Sequence, residues 1–372
     1  MIPVNEPLFI GNEAKYLKEC IETGWVSSDG SFVKRFEREF SGYCDRKYGV
    51  SVVNGTAALQ LAFESLKLHA GDEVILPSFT IISCASCIDR LGLVPVPVDC
   101  DPHTYNMTAE HVEAAYTEKT KAILVVHIYG LPVDVDPILQ FAKEKDLYVI
   151  EDAAEMIGQE YKGRKCGSFG DVSIFSFYAN KHITTGEGGM IVTDNGDIHE
   201  SCLSGRNLAF KPPRRFVHDE LGWNYRMTNL QAAVGVAQLE TLDQLITIKR
   251  EIGDAYNELL AGVDGITLPI HQTSYANNIY WVYSIVLDKD FPAAADVVQL
   301  KLSEKGIGNR PFFWPIHQQP YFLEKYPKWK SLSLPNSEQL ANKGFYIPSG
   351  LGLDQSMIPK ICKEIKDVLK SF

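Results

Sequence analysis

Positive charge is scarce in this 372-residue chain: 36 Lys and Arg stand against 47 Asp and Glu, for a formal net charge of −11. Without a chain-wide basic field, general nucleic-acid binding is not expected, although a local basic pocket for one nucleotide is compatible with the count. Long apolar runs are missing too. No stretch approaches the ~20 residues of a membrane span, and the opening Met1-Ile2-Pro3-Val4-Asn5-Glu6-Pro7 has neither the basic start nor the apolar run of a secretory leader. A cytoplasmic protein without a membrane partner is the expectation, and in that setting the eight scattered cysteines are expected as thiols. Cys84 and Cys87 form a CxxC, but no second pair follows at zinc spacing, so no metal is expected and small buried residues are the plainer reading. Two phosphate-binding signatures are also absent. The chain lacks the G-x-G-x-x-G of a dinucleotide site and the G-x-x-x-x-G-K-[ST] of a nucleoside triphosphate site.

What the chain does contain is the composition of an ordered protein, with 45% hydrophobic and 22% charged residues. From Gly49 to Val192, apolar runs rich in Val and Ile alternate with helical patterns, the signature of strands buried on both faces of a mostly parallel sheet. The pattern predicts strands at Val50–Val53, Glu73–Pro77, Val94–Val98, Ala122–His127, Tyr148–Glu151, Val172–Phe177 and Gly189–Thr193. Helices are predicted between them at Thr56–Leu66, Ile82–Leu91, Ala109–Thr117 and Pro137–Lys145. Two more, Asn12–Thr23 and Ser31–Ser41, precede the first strand. Thr228–Leu260 reads as one long amphipathic helix or two joined ones. A strand at Tyr280–Leu287 and helices at Ala293–Lys305 and Asp354–Leu369 then outline a smaller mixed α/β domain. The division is expected near residue 240, giving a large α/β domain over 1–240 and a small one over 241–372.

Four strand ends carry candidate chemistry. In Phe175-Ser-Phe-Tyr-Ala-Asn-Lys181-His-Ile-Thr-Thr-Gly186 a lysine follows a strand and precedes a glycine-rich turn. It is either a solvated loop cation or an amine held for addition to a carbonyl, which needs a lowered pKa because only the neutral amine reacts. In Val149-Ile-Glu-Asp152-Ala-Ala-Glu155 an apolar strand ends in acids. Asp152 is either a helix cap or the partner of a cationic ring nitrogen such as that of a pyridoxal cofactor. Asn54-Gly55-Thr56-Ala57 is a strand-to-helix turn able to cradle a phosphate on backbone N–H groups. Pro77-Ser-Phe79-Thr places an aromatic where it either packs in the core or stacks on a flat ring. In a parallel sheet all four ends converge on one edge, and the conjunction is far more specific than any member.

These residues, together with Gly24-Trp-Val-Ser-Ser28, His127-Ile-Tyr-Gly130, Gly167-Ser-Phe-Gly-Asp171 and Gly222-Trp-Asn224-Tyr-Arg-Met-Thr-Asn229, resemble the DegT/StrS-type sugar aminotransferases from Pro3 to the last helix. The resemblance implies the aspartate aminotransferase fold (fold type I) and pyridoxal 5′-phosphate as cofactor. It implies that Lys181 joins the cofactor covalently, Asp152 pairs with its ring nitrogen and Phe79 stacks on the ring. Gly55, Thr56, Ala57 and Ser176 would hold the phosphate, with Glu155 a second cofactor contact. Asn224 would reach the phosphate of a neighbouring subunit, implying a homodimer with shared sites. The expected reaction moves an amino group from L-glutamate to C4 of a nucleotide-linked 4-keto-6-deoxy sugar. Ile2-Pro3-Val4, His218-Asp219 and Arg310-Pro-Phe-Phe-Trp-Pro-Ile-His317 look most like members acting on a GDP-linked 4-keto-6-deoxymannose. Ser28, Arg310 and His317 are the implied substrate contacts. A dTDP- or UDP-linked sugar is the alternative substrate. A 3-dehydratase, in which histidine replaces the lysine, is disfavoured by Lys181, His182 being offset by one; a non-catalytic regulator is disfavoured by intact Lys181 and Asp152. Lys211, Arg214 and Arg215 either neutralise a diphosphate or form a solvated loop.

Overall fold

The computed structural model describes residues 1–211 and 213–372. Pro212, within the Lys211–Arg215 loop, lies outside the described residues. Nine strands come first: β1 (Tyr48–Val52), β2 (Glu73–Pro77), β3 (Val94–Val98), β4 (Thr120–Val126), β5 (Tyr148–Asp152), β6 (Glu160–Tyr161), β7 (Arg164–Lys165), β8 (Val172–Ser176) and β9 (Gly189–Thr193). Four more follow: β10 (Ile266–Thr267), β11 (Tyr283–Leu287), β12 (Arg310–Pro311) and β13 (Gly344–Ile347). The large sheet runs β1-β9-β8-β5-β4-β2-β3, and the small one β10-β11-β13-β12. From β3 to β8 every pair in the large sheet is parallel, as the unbroken apolar strands predict. Along β4, Ala122, Leu124 and Val126 enter the core on one face while Ile123 and Val125 enter the core on the other. Period two with both faces buried is why this strand reads as a continuous hydrophobic run.

β9 departs from the parallel rule. It pairs antiparallel with β8 and β1, because the segment Phe177–Gly188 turns back without a crossover helix. That turn carries Lys181, and it is tightly held. Thr184 Oγ1 and the Thr185 N–H both donate to the Phe177 carbonyl, at 2.8 and 3.0 Å, and the Gly186 N–H donates to Thr184 Oγ1 at 2.9 Å. The long apolar pattern after Thr228 resolves into two helices, Asn229–Glu240 and Leu242–Leu260, which break at Thr241. The first is tied to the N-terminal helix Ser31–Tyr43, where Gly235 lies so close to Phe36 that a Cβ would sit 2.7 Å from its ring. The short partners β12 and β13 and the helix Gly196–Arg206 carry no strong periodic signal, and the sequence reading does not contain them. No helix among the described residues is long and apolar enough to cross a membrane.

One buried cation fastens the turn before β8. Arg46 donates to the carbonyls of Gly167, Phe169 and Gly170 at 3.0, 2.6 and 3.0 Å, and to Asp194 Oδ2 at 2.9 Å. Arg46→Met strands those carbonyls in a dry interior and is expected to cost about 3 kcal/mol. Asp194→Asn, at a side chain 45% exposed, is expected to cost under about 1 kcal/mol. Urea midpoints of the two variants check this, and equal losses would mean that the ion pair rather than the carbonyl contacts holds the turn.

Candidate active site

The C-terminal ends of β2, β5 and β8, and the turn after β1, open into a cavity of about 490 Å³. Among its lining residues are Asn54, Gly55, Thr56, Asp152, Glu155, Ser176 and Lys181 from the large sheet, and Trp281, Phe313 and Tyr346 from the small-sheet side. Helix Gly55–Ser65 begins at this wall. Asn54 Oδ1 accepts the Ala57 N–H at 2.8 Å, and Gly55 is so close to Ser176 that a Cβ would lie 2.9 Å from the serine Cβ. The first-turn N–H groups of Gly55 and Thr56 thus meet the cavity at the positive end of the helix, beside the Ser176 hydroxyl. The Ala57 expectation is corrected here, because its N–H is taken by the cap.

Asp152 ends β5 with both oxygens placed. Oδ1 accepts the Ala154 N–H at 3.1 Å, and Oδ2 accepts the Cys84 S–H at 3.5 Å. Burial raises its pKa against the opposing pull of the Ala154 N–H and Lys181. The neighbouring Glu151 is wholly buried and holds the strand end in register. Burial works to protonate it, but it accepts from His127 Nε2, Gly167 N–H, Phe169 N–H and Ser173 Oγ, and its pKa stays lowered. His127 Nδ1 accepts the Val133 N–H at 3.0 Å, which fixes Nε2 as the protonated nitrogen. His127, Glu151 and Cys166 lie close enough to suggest metal ligands, yet the histidine and the carboxylate are already spent on these bonds.

Lys181 Nζ lies 3.9 Å from Glu155 Oε1, with side chains only 10% and 8% exposed. Burial lowers the lysine pKa and raises that of the glutamate, each opposing the attraction between the two. Glu155 is aimed by backbone: Tyr129, in a left-handed conformation (φ 56°), donates its N–H to Oε2 at 2.7 Å. Gly130 follows at φ 105°, where a Cβ would come within 2.6 Å of Asn278 Oδ1, so the His127–Gly130 motif demands glycine at its end. On the other side of the amine stands Trp281, its ring centroid 3.8 Å from Nζ. Sequence reasoning missed Trp281, Phe313 and Tyr346, which come from chain segments far from the strand ends it followed. Cys84 was visible only as half of a CxxC; Cys87 faces elsewhere, donating to the Thr56 carbonyl at 3.6 Å.

Two further expectations are corrected. Phe79 is wholly buried in an aromatic cluster with Tyr105, Tyr129, Phe312 and Phe313, its ring 5.7–6.3 Å from theirs. Thr80 and the half-exposed Ile81 line the cavity in its stead. His317 is equally buried and both ring nitrogens are engaged, Nδ1 with Ser78 Oγ at 2.7 Å and Nε2 with Glu338 Oε1 at 3.1 Å, so it braces the fold and is not free for a substrate. Arg310 is exposed on β12, paired across the strand with the cavity-lining Tyr346. Ser28 lies outside this cavity, in a separate hollow of about 200 Å³ with Arg206, Asn207 and Arg226. Asn224 is exposed beside that hollow, its Oδ1 accepting from Arg226 Nε at 2.9 Å. His182 is buried behind Lys181, neither ring nitrogen having a partner among the described residues.

Comparison with known proteins converges on one family. The model of the DegT/DnrJ/EryC1/StrS aminotransferase family matches residues 9–366. The chain is 41% identical to GDP-perosamine synthase of Vibrio cholerae over 99% of both chains. It is 34% identical to the putative pyridoxal phosphate-dependent aminotransferase EpsN of Bacillus subtilis, over 95% of this chain and 92% of that one. Among solved structures it is similar to the aminotransferase TlmJ from Streptoalloteichus hindustanus, with a TM-score of 0.93 and 29% identity, covering 100% of this chain and 99% of that one.

The pairing of Lys181 with Glu155 yields a direct expectation. Glu155→Gln removes the largest attraction that opposes burial, so the amine should lose its proton at a lower pH than in the parent chain. Competitive acetylation of Lys181 across a pH series, read by peptide mass, measures the midpoint. An unchanged midpoint would show that the carboxylate does not act on the amine.

Proposed function

This chain belongs to the DegT/DnrJ/EryC1/StrS aminotransferase family, and we propose that within it the protein moves an amino group from L-glutamate to C4 of GDP-4-keto-6-deoxy-D-mannose, giving GDP-perosamine. It is a pyridoxal-phosphate-dependent sugar aminotransferase. The observation that carries the reading is the meeting, in one cavity, of a buried amine, a buried carboxylate and a helix N-terminus that opens on a glycine beside Ser176. Those three features suit a flat cationic ring with an aldehyde and an anionic tail. The choice of a GDP-linked sugar is supported by likeness to the Vibrio cholerae enzyme along the whole chain. We place the protein in the cytoplasm.

The cofactor supplies, when bound, an electron sink for the carbon that carries the amino group. The roles of the chain's own residues follow from their positions. Gly55 and Thr56 N–H groups and Ser176 Oγ hold the phosphate, where the helix dipole favours negative charge. Asp152 keeps the ring nitrogen protonated, since a carboxylate at that nitrogen favours its charged form. Lys181 would anchor the cofactor's aldehyde, and as a free amine it is the base available to take and return the proton of the carbon that carries the amino group. Burial lowers the amine's pKa toward the range in which it can accept that proton. Glu155 lies beside the amine and, when ionised, offers a counter-charge to the ammonium. Arg310, at the rim beside Tyr346, is placed for a phosphate of the nucleotide.

Ser28 and Asn224 do not line the chain's own cavity, Ser28 lying in the hollow beside which Asn224 sits, and this supports a homodimer in which each copy completes the other's site. The hollow that holds Ser28 also holds Arg226, whose side chain, among the described residues, engages only amide side-chain oxygens. An arginine with no carboxylate partner there is available to a phosphate.

Amination assays with GDP-, dTDP- and UDP-linked 4-keto-6-deoxy sugars, with L-glutamate as donor, test the function, and turnover should be greatest with the GDP-linked sugar. Borohydride reduction of the loaded enzyme followed by peptide mapping should place the pyridoxyl label on Lys181. A label on another lysine, or no amination of any of the three sugars, would reject the reading.

The shared site has its own test. A Lys181→Ala chain is mixed with an Asn224→Ala chain that is inactive alone. If residue 224 acts in trans, the heterodimer has one site with both lesions and one with neither, and activity returns toward half that of the parent dimer. No recovery despite verified subunit exchange would place residue 224 in its own chain's site.

A further inference from the structure

The geometry points to Trp281 as a positioning residue for Lys181: when the amine is protonated and not joined to the cofactor, the indole face receives it and holds it at the wall of the cavity. This rests on the proposed role of Lys181. Nζ stands 3.8 Å from the ring centroid, well inside the ~6 Å within which a ring face attracts an ammonium. Trp281 is 5% exposed, so the contact is made where water competes little. The ring cannot swing away. Its Nε1–H donates to the carbonyl of Asn180 at 2.8 Å, the residue that precedes the lysine, and Tyr129 packs on it with centroids 5.8 Å apart. The lysine loop therefore carries its own platform, borrowed from the segment that leads into β11.

Glu155, Asp152 and Cys84 act on the amine, and His182, Glu6 and Lys249 line a small hollow with Lys181. Glu155 lies 3.9 Å away and carries a raised pKa, so it serves the ammonium poorly as a permanent counter-charge. Cys84 is kept a neutral thiol, first by burial and then by Asp152. His182, pushed down by burial, is neutral. A quadrupole does not titrate, and it favours the charged amine at every pH. An ammonium parked on the indole, a few ångströms from the carboxyl group it shares the cavity with, is kept from folding back into the cavity's phosphate end.

The test uses the full-length enzyme loaded with pyridoxamine 5′-phosphate, which leaves Lys181 unattached. Trp281 is replaced, by site-specific incorporation, with mono-, di- and trifluorotryptophan, which drain the ring face of charge without changing its shape. Competitive acetylation of Lys181 across pH reads the proton affinity of the amine. The expected result is a stepwise fall, amounting over the series to about a tenfold loss in the ratio of charged to neutral amine at fixed pH. Trp281→Phe, which keeps a face but lacks the N–H, should lie between the parent and Trp281→Leu. A flat fluorination series, with Phe and Leu variants alike, would overturn the proposal. The borohydride label separates the two ideas. A flat series with the label on Lys181 rejects only the platform, whereas a label elsewhere rejects the proposed role of Lys181 itself.

Discussion

A buried amine facing two buried carboxyl groups is the interaction on which the rest of this site depends. Two unit charges about 4 Å apart attract by about 4 kcal/mol in a medium of effective dielectric 20. Removing each from water costs several kcal/mol. Desolvation therefore wins over attraction, and Lys181 and Glu155 are each driven toward neutrality. Groups that would rest as a fixed ion pair on the surface become groups that exchange a proton at modest cost. The surrounding contacts make this tolerable. Tyr129 N–H steadies Glu155, Ala154 N–H and the Cys84 thiol steady Asp152, and each does so from backbone or from a group that does not itself ionise in the working range.

The sheet makes that meeting possible by geometry rather than by local sequence. Parallel strands put all their carboxyl ends on one edge, so acids ending β5 and the serine ending β8 arrive together without being neighbours in the chain. The antiparallel return into β9 completes the arrangement. A crossover helix after β8 would have carried residue 181 off over a sheet face; the tight turn held by Thr184 and Thr185 keeps it over the strand ends. The pressure falls on Glu151, whose four hydrogen bonds link β5 to β4, to β8 and to the turn that Arg46 fastens. Acid at position 151 serves the frame; acid at position 152 serves the cavity.

Much of this was legible in the sequence because it rests on local pattern. The strands β1 to β5, β8 and β9 announce themselves as apolar runs, whereas the two-residue polar strands β6 and β7 do not; Lys181, Asp152 and the Asn54 turn are strand-end residues whose types are poor packing choices. The residues misjudged are those whose surroundings are set from far along the chain. Phe79 follows the end of β2, where alternation no longer says which way a side chain turns, and the rings that enclose it come from residues 105, 129, 312 and 313. His317 is sealed by Ser78 and Glu338. Ala57 fails for a subtler reason, since a capped helix spends one of its first N–H groups on its own cap. Trp281 gave no signal at all because the atoms it serves, Asn180 O and Lys181 Nζ, lie a hundred residues upstream.

The overall charge raises a difficulty that the arginines resolve. A chain of net charge −11 should repel a sugar nucleotide with its diphosphate, and long-range steering cannot bring such a substrate in. Screening confines each charge to about 8 Å at physiological salt, however, so only the cations at the mouth matter. Arg206 is not one of them, being bound to Glu37 and to the Ser51 carbonyl. Arg310 and Arg226 have no carboxylate partner among the described residues, one lying beside Tyr346 and the other beside Ser28 and Asn224. In one isolated chain, Arg226 does not line the strand-end cavity. A dimer that set the hollow of one copy against the cavity of the other would let the two arginines supply together the local positive field that the sequence as a whole denies.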